Sequence, residues 1–142
     1  MKLYLASMLE PENFGSGKIY AIARTKPDEL NVDGLYSHLI PKDEFISKYK
    51  EMQLNYNQNV PESIIEAQKL ASDYFNKAFY EQLKLFLVEL NKAAKEENKT
   101  MMELLPFNDG DTLVSWERFG NTNYRGVVGG LLQKIGYKVE VK

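Results

Sequence analysis

The residues of this chain that could do chemistry are concentrated near its carboxyl-terminal end, in residues 110–126. Two of the three arginines, Arg118 and Arg125, lie in this segment. A guanidinium group can hold a phosphate through two parallel hydrogen bonds, so the pair indicates a clamp for a phosphorylated ligand. The alternative is that Arg118 is a solvated loop residue and that Arg125 interacts with the surface of its own helix.

Aromatic and amide side chains accompany the two arginines. Trp116 and Phe119, with Tyr124, could stack on a nucleobase, although a lone tryptophan at the end of a strand more often belongs to the core than to a stacking surface. Phe119 lies in a polar segment, where we expect a phenyl ring to be covered by a ligand, a partner or the core. Small polar groups follow at Asn121, Thr122 and Asn123. These three can bind a ligand, cap the following helix, or do both.

The elements that must position these residues are a strand at residues 112–116, a polar loop with a possible hinge at Gly120, and a helix at 124–134. This order places the loop at the positive end of the helix dipole, where backbone N–H groups are free to bind an anion. A strand at 137–141 follows Gly136, which suits a left-handed helix end. The resulting strand–helix–strand unit should be parallel with a right-handed crossover.

A second wall for the same ligand is predicted from the amino-terminal end. Ser7, Asn13 and Phe14 lie at or beyond the end of an apolar strand at residues 3–7, and Arg24 ends an alternating strand at 18–24. If the first strand runs parallel to residues 112–116, both strand ends open on the edge where ligands of α/β sheets bind. The loop at 13–18 lacks the glycine and lysine spacing of a triphosphate-binding loop.

The middle of the chain is helical. After a short candidate strand at 35–40, a helix beginning near Pro41 carries Phe45, Tyr49 and Met52 on one face. A long helix at 61–98 is predicted to begin with an Asn59 cap and Glu62 in a capping box. Its apolar stripe comprises Ile64, Ala67, Ala71, Phe75, Ala78, Phe79, Leu83, Phe86, Leu90 and Ala94. The stripe is longer than a domain of 142 residues usually needs to cover, so we expect a homodimer or a higher homo-oligomer.

These elements predict a small single α/β domain over residues 1–142, with a central mixed sheet, the C-terminal strand–helix–strand unit and one long helix. The formal charge of −2 argues against broad nucleic-acid binding. The absence of cysteine and the single histidine predict no metal site and no cofactor. No apolar run approaches the roughly 20 residues that cross a bilayer, and the first residues do not resemble a signal peptide. We therefore expect no membrane partner and a cytoplasmic location.

Both ends of the chain resemble small phage and prophage proteins. The resemblance lies in YLASMLEPENFG (residues 4–15) and in LLPFNDGDTL (residues 104–113) continuing to Tyr124 and Arg125. More specifically, the chain resembles the phage Thoeris anti-defence sponges over about half its length. That resemblance implies a protein that sequesters cyclic ADP-ribose isomers made by bacterial TIR-domain immune enzymes, without cleaving them, in the infected or lysogenic host.

The carboxyl-terminal block also resembles a looser superfamily of bacterial proteins in which a Cys-His-Arg triplet follows an acidic strand end. Glu117 matches the acidic position, and Asn123-Tyr124-Arg125 stands where the triplet would be, so only the arginine is shared. The resemblance therefore implies an anion-binding protein that has no nucleophile or acid–base pair.

Two other functions remain open from the sequence. One is a phosphodiesterase-like or nucleoside-processing enzyme of the same fold, with Glu117, Asp111 or His38 as acid–base groups. Against it, Asp109 and the following glycine are typical of a turn, and His38 has no identifiable catalytic partner. The other is a phage protein that binds a host protein through its aromatic long helix.

Overall fold

A computed structural model describes residues 1–116 and 124–142. Its strands are β1 (Lys2–Ser7), β2 (Ile19–Ala21), β3 (Gly34–Leu35), β4 (Thr112–Ser115) and β5 (Lys138–Val141). Its helices are α1 (Asp43–Gln53), α2 (Pro61–Glu97) and α3 (Tyr124–Ile135), with single 3₁₀ turns at Pro11–Asn13, Ser37–Leu39 and Met102–Leu104.

The described strands form one sheet in the order β3-β2-β4-β1-β5. The α/β class, the C-terminal strand–helix–strand unit and the long helix are confirmed. In one respect the expectation is corrected, because the sheet is parallel at each described pairing rather than mixed. Because the strands are parallel, each connection brings the chain back to the amino edge of the sheet before the next strand begins. Residues 8–18 and 22–33 do so without an α-helix, α1 and α2 lie between β3 and β4, and α3 lies between β4 and β5.

The two central strands fix which side chains face the helices. In the β1–β4 register, Leu5 pairs with Leu113 and Ala6 with Val114. Leu5 and Leu113 are buried with Phe75 of α2 and with residues of α3 in the main core. Val114 belongs to a smaller cluster on the opposite face, which among the described residues is covered by connecting segments and not by an α-helix. The helices therefore lie on one face of the sheet.

Helix α2 confirms the predicted stripe, because Ala71, Phe75, Phe79 and Leu83 are buried along one side. The helix ends where Asn98 adopts a left-handed conformation with φ 54°. The predicted start is wrong in detail. Pro61 occupies the first turn and restricts the residue before it to extended backbone. Val60 is consequently the cap, without a side-chain hydrogen bond.

The remaining differences concern short elements. The strand predicted at 35–40 is two residues long and ends at Leu35, after which the chain turns at Ser37–Leu39. The strand predicted at 18–24 spans only Ile19–Ala21. In the part of the chain that the structure describes, no helix is long and apolar enough to cross a membrane.

Candidate functional site

A cavity of about 540 Å³ opens where β2 and β4 end. We call it the edge cavity and define it by Arg24, Thr25, Tyr49, Lys50, Trp116 and Tyr124. The carboxyl edge of a parallel sheet is where α/β proteins bind their ligands, and this volume falls in the range of about 300–1,000 Å³ that is usual for small-molecule sites.

Trp116 forms one wall and is held in place by Thr25, which also lines the cavity. Its indole Nε1 donates to the carbonyl oxygen of Thr25 at 2.8 Å and lies 2.9 Å from the Thr25 hydroxyl. The indole also packs against the cluster that contains Val114. The ring is therefore fixed by the segment that follows β2, and it leaves a flat apolar surface toward the cavity.

Tyr124 forms a second wall where α3 begins. Its buried ring stacks on Phe79, with centroids 4.9 Å apart and planes 8° from parallel. Its hydroxyl lies close to the carbonyl oxygen of Ile22 and 3.1 Å from that of Leu39. Burial raises the pKa of Tyr124, so the phenol stays neutral and donates a hydrogen bond to the backbone. This wall is rigid and built into the core.

Helix α1 supplies the third wall. Ile46, Tyr49, Lys50 and Gln53 line the cavity, at spacings that place them on one helical face. The Gln53 amide donates to the Tyr49 hydroxyl at 3.0 Å. Burial raises the pKa of Tyr49 as well, which keeps this second phenol neutral.

The charge at the mouth of the cavity is positive. Arg24 and Lys50 are the cationic side chains among its lining residues, and within residues 1–116 and 124–142 no Asp, Glu or His lines it. Arg24 pairs through Nε with the Asp43 carboxylate at 2.6 Å, and both side chains are more than half exposed. Lys50 forms no ion pair with any residue that the structure describes. Aromatic walls with two cations at the rim suit an anionic ligand that contains a flat ring.

The structure describes only some of the residues that the sequence groups into one site. Trp116 and Arg24 line the edge cavity. Arg118, Phe119, Asn121, Thr122 and Asn123 lie outside the described residues, as do Glu117 and Gly120.

Arg125, Ser7, Asn13 and Phe14 do not line the edge cavity. The Arg125 guanidinium donates to the Lys142 carbonyl oxygen at 2.8 Å, which places it on the β5 side of α3. The Asn13 amide donates to the Glu10 carboxylate at 2.7 Å within its own turn. Phe14 packs against the cluster that contains Val114, because the connection after β1 crosses that face.

Asp111 and His38, two of the acid–base candidates of the enzyme alternative, make contacts that belong to the fold. The buried Asp111 carboxylate accepts the backbone N–H groups of Lys18 and Asn108, each at 2.8 Å. The exposed His38 ring stacks on Phe86, with centroids 4.9 Å apart. Neither residue lines the edge cavity. Among the residues described, no three His, Asp or Glu side chains form a group that could hold a metal ion.

Sequence reasoning missed the contribution of α1 to the site. It placed Tyr49 on an apolar helical face, but nothing local shows that this face reaches the end of β2. Lys50 carries no sequence signal of its own, since exposed lysines are ordinary in helices.

Comparisons of the chain with protein-family models, curated proteins and solved structures gave no match.

Proposed function

We propose that this protein binds a small nucleotide-type signal in the edge cavity and holds it without cleaving it. The observation that carries the proposal is the pairing of aromatic walls, Trp116, Tyr49 and Tyr124, with the rim cations Arg24 and Lys50. A base or ribose would lie against the indole, and the phosphates would face the cations. Binding without reaction fits a described lining that contains no carboxylate or imidazole.

The ligand class proposed is a cyclic ADP-ribose isomer made by a TIR-domain immune enzyme. The resemblance of both chain ends to the Thoeris anti-defence sponges supports this assignment. In that role a phage or prophage protein in the bacterial cytoplasm would lower the free concentration of the signal. A sponge must bind at signalling concentrations, so we expect a Kd below the micromolar range, which corresponds to roughly 8 kcal/mol or more.

The experiment is to incubate the purified protein with cyclic ADP-ribose isomers, remove unbound ligand, denature the protein by heat and identify what is released. Intact ligand in a near-stoichiometric amount supports the proposal. A cleaved product would establish the phosphodiesterase-like or nucleoside-processing alternative. Release of nothing would contradict the proposal and favour a protein partner.

Homo-oligomerisation is proposed as part of the same function. Helix α2 exposes Leu70, Leu85 and Val88 on sides that the core does not cover, and apolar helix surfaces of this kind support assembly. Sedimentation velocity would measure the mass in solution. A monomer at all concentrations used in the ligand experiment would contradict this part of the proposal.

A further inference from the structure

The second half of α2 carries four exposed side chains on one side of the helix. Leu85 and Val88 are 65% and 61% exposed, and the exposed Glu81 and Lys92 lie before and after them. At about 100° per residue, the spacings between these positions place all four side chains within a narrow arc of the helix surface. We call these four residues the outer face of α2.

The outer face is not used within residues 1–116 and 124–142. The core lies on the other side of α2, where Leu83 and Leu90 are buried. The charges of Glu81 and Lys92 are also unused, because neither side chain forms an ion pair with a described residue. An apolar centre with charged groups at its margin is the arrangement found in protein interfaces.

The order of the four residues makes the outer face complementary to a second copy of itself. A two-fold dimer uses the same patch on both subunits. If two α2 helices pack antiparallel about an axis midway between Leu85 and Val88, Leu85 of one copy lies opposite the partner's Val88. The same register sets Glu81 opposite the partner's Lys92. Each apolar residue therefore meets an apolar residue, and each charge meets the opposite charge.

The charges also select the direction of the pairing. A parallel pair in register would place Glu81 against the partner's Glu81 and Lys92 against the partner's Lys92. Both contacts would then be repulsive, as like charges are wherever they face each other across an interface. The outer face therefore favours the antiparallel pair and disfavours the parallel one.

The antiparallel register also fits the length of α2 that is uncovered. Helix α1 covers the first half of α2, where the ring of Phe45 lies 6.5 Å from that of Tyr74 between centroids. In the antiparallel register Glu97, the last residue of α2, reaches the level of the partner's Asn76. The two helices therefore overlap only after Tyr74, and α1 of each copy lies beyond the end of the other copy's α2.

We infer that the outer face of α2 is the contact between two copies of this chain in an antiparallel two-fold dimer. Leu85 and Val88 of both copies form its centre, and two symmetric pairs of Glu81 with Lys92 flank the centre. The inference rests on the homo-oligomerisation that is proposed as part of the function. Among the described residues that line the edge cavity none belongs to α2, so the contact does not use the side chains proposed to bind the ligand.

Charge reversal followed by sedimentation velocity tests this contact. We expect a monomer–dimer equilibrium for the original chain. Glu81→Lys should raise the dissociation constant of the dimer at least about tenfold, because it sets like charges against each other at both symmetric pairs. Lys92→Glu should have the same effect. The double variant Glu81→Lys/Lys92→Glu should restore the original constant, since it exchanges the two charges and keeps every pair opposite.

Mixing the two single variants tests the direction of the helices. A dimer of one Glu81→Lys copy and one Lys92→Glu copy again has opposite charges at both pairs, so the mixture should dimerise at a concentration where each variant alone is monomeric. Glu66→Lys is the matched control, because Glu66 is exposed on α2 but lies outside the overlap, and it should leave the constant unchanged. Glutamate and lysine have similar helix propensities, so all variants should keep the Tm of the monomer.

Two results would overturn the inference. One is an original chain that stays monomeric at all concentrations. The other is a dimer whose dissociation constant the single charge reversals leave unchanged, which would place the contact elsewhere on the molecule.

The nucleotide experiment separates this inference from the binding function. A dimer that responds to the charge reversals, in a protein that retains no cyclic ADP-ribose, would support the contact and contradict the binding function. Retention of the nucleotide by a chain whose oligomeric state ignores the charge reversals would support the binding function and overturn the contact.

Discussion

The two edges of the sheet use their polar residues in opposite ways. At the amino edge, the Asp111 carboxylate accepts two backbone N–H groups, Thr112 accepts the N–H of Gly15, and Asp109 accepts that of Lys2. At the carboxyl edge, within residues 1–116 and 124–142, the Ser115 hydroxyl has no hydrogen-bond partner and Lys50 has no ion pair. Polar groups at the amino edge hold the fold together, while Ser115 and Lys50 at the carboxyl edge are not engaged within the described residues, on the side of the sheet where we propose that the ligand binds.

Gly15 and Gly17 show why the amino edge is closed. A side chain on Gly15 would collide with the ring of Tyr4, and one on Gly17 would collide with Asp111. The connection after β1 therefore lies directly against the start of β4. The contrast shows that acidic residues such as Asp109 and Asp111 can be structural, while the proposed site is lined by an exposed lysine that has no motif of its own.

The largest expected effect is on stability at the amino edge. Asp111→Ala leaves the N–H groups of Lys18 and Asn108 without their charged acceptor, so the free energy of unfolding should fall by about 3 kcal/mol. Urea denaturation measures the change. Asp109→Ala is the control, because its carboxylate is exposed and accepts only one N–H. If Asp111→Ala is as stable as the original chain but no longer retains nucleotide, Asp111 serves ligand binding and the assignment of the two edges is reversed.

The fold could be predicted from the sequence where the pattern is long. The stripe of α2 and the strand–helix–strand unit of β4, α3 and β5 are encoded by local periodicity. The start of α2 could not be predicted from the Asn59 signal, because Pro61 determines the backbone before it. The two-residue β3 is too short to show a periodicity, and its pairing with β2 depends on tertiary structure.

The candidate site could be predicted only in part. Trp116 and Arg24 line the same cavity, because residues that follow parallel strands meet at one edge; that they bind a ligand stays a prediction. The direction of Arg125 toward β5 and the approach of Tyr49 to the end of β2 depend on how helices pack on the sheet, which local spacing does not determine. Whether the Ser115 hydroxyl has a hydrogen-bond partner within the described residues likewise depends on tertiary packing. The predictions for residues 117–123 stay predictions.

The next largest effect concerns the fixed wall of the carboxyl edge. Trp116→Ala removes the proposed stacking surface and should raise the Kd for cyclic ADP-ribose about 10- to 100-fold, since a stacked base contributes roughly 1–3 kcal/mol. Isothermal titration calorimetry gives the Kd. Trp116→Phe keeps an aromatic face and loses the Nε1 hydrogen bonds to Thr25, so it should retain part of the affinity. Unchanged binding by Trp116→Ala would contradict binding of the ligand in the edge cavity.

A smaller effect is expected at the rim. Lys50→Ala should raise the Kd about fivefold at low salt and less at high salt, because an exposed charge is screened. Lys77→Ala on the exposed side of α2 removes the same charge away from the cavity and is the matched control. Equal losses in the two variants would show a general effect of net charge and no contact with Lys50.

The smallest effect tests whether Asp43 competes with the ligand. In the free protein the Asp43 carboxylate holds Arg24 at 2.6 Å, and a bound phosphate would have to replace it. Asp43→Asn removes the competing charge, so the Kd should fall about twofold, in keeping with the small contribution of exposed ion pairs. Glu44→Gln, which makes the same change one residue later, should leave the Kd unchanged. A weaker affinity in Asp43→Asn would mean that the ion pair positions Arg24 for the ligand, and the rim would then be preorganised in the same way as the amino edge.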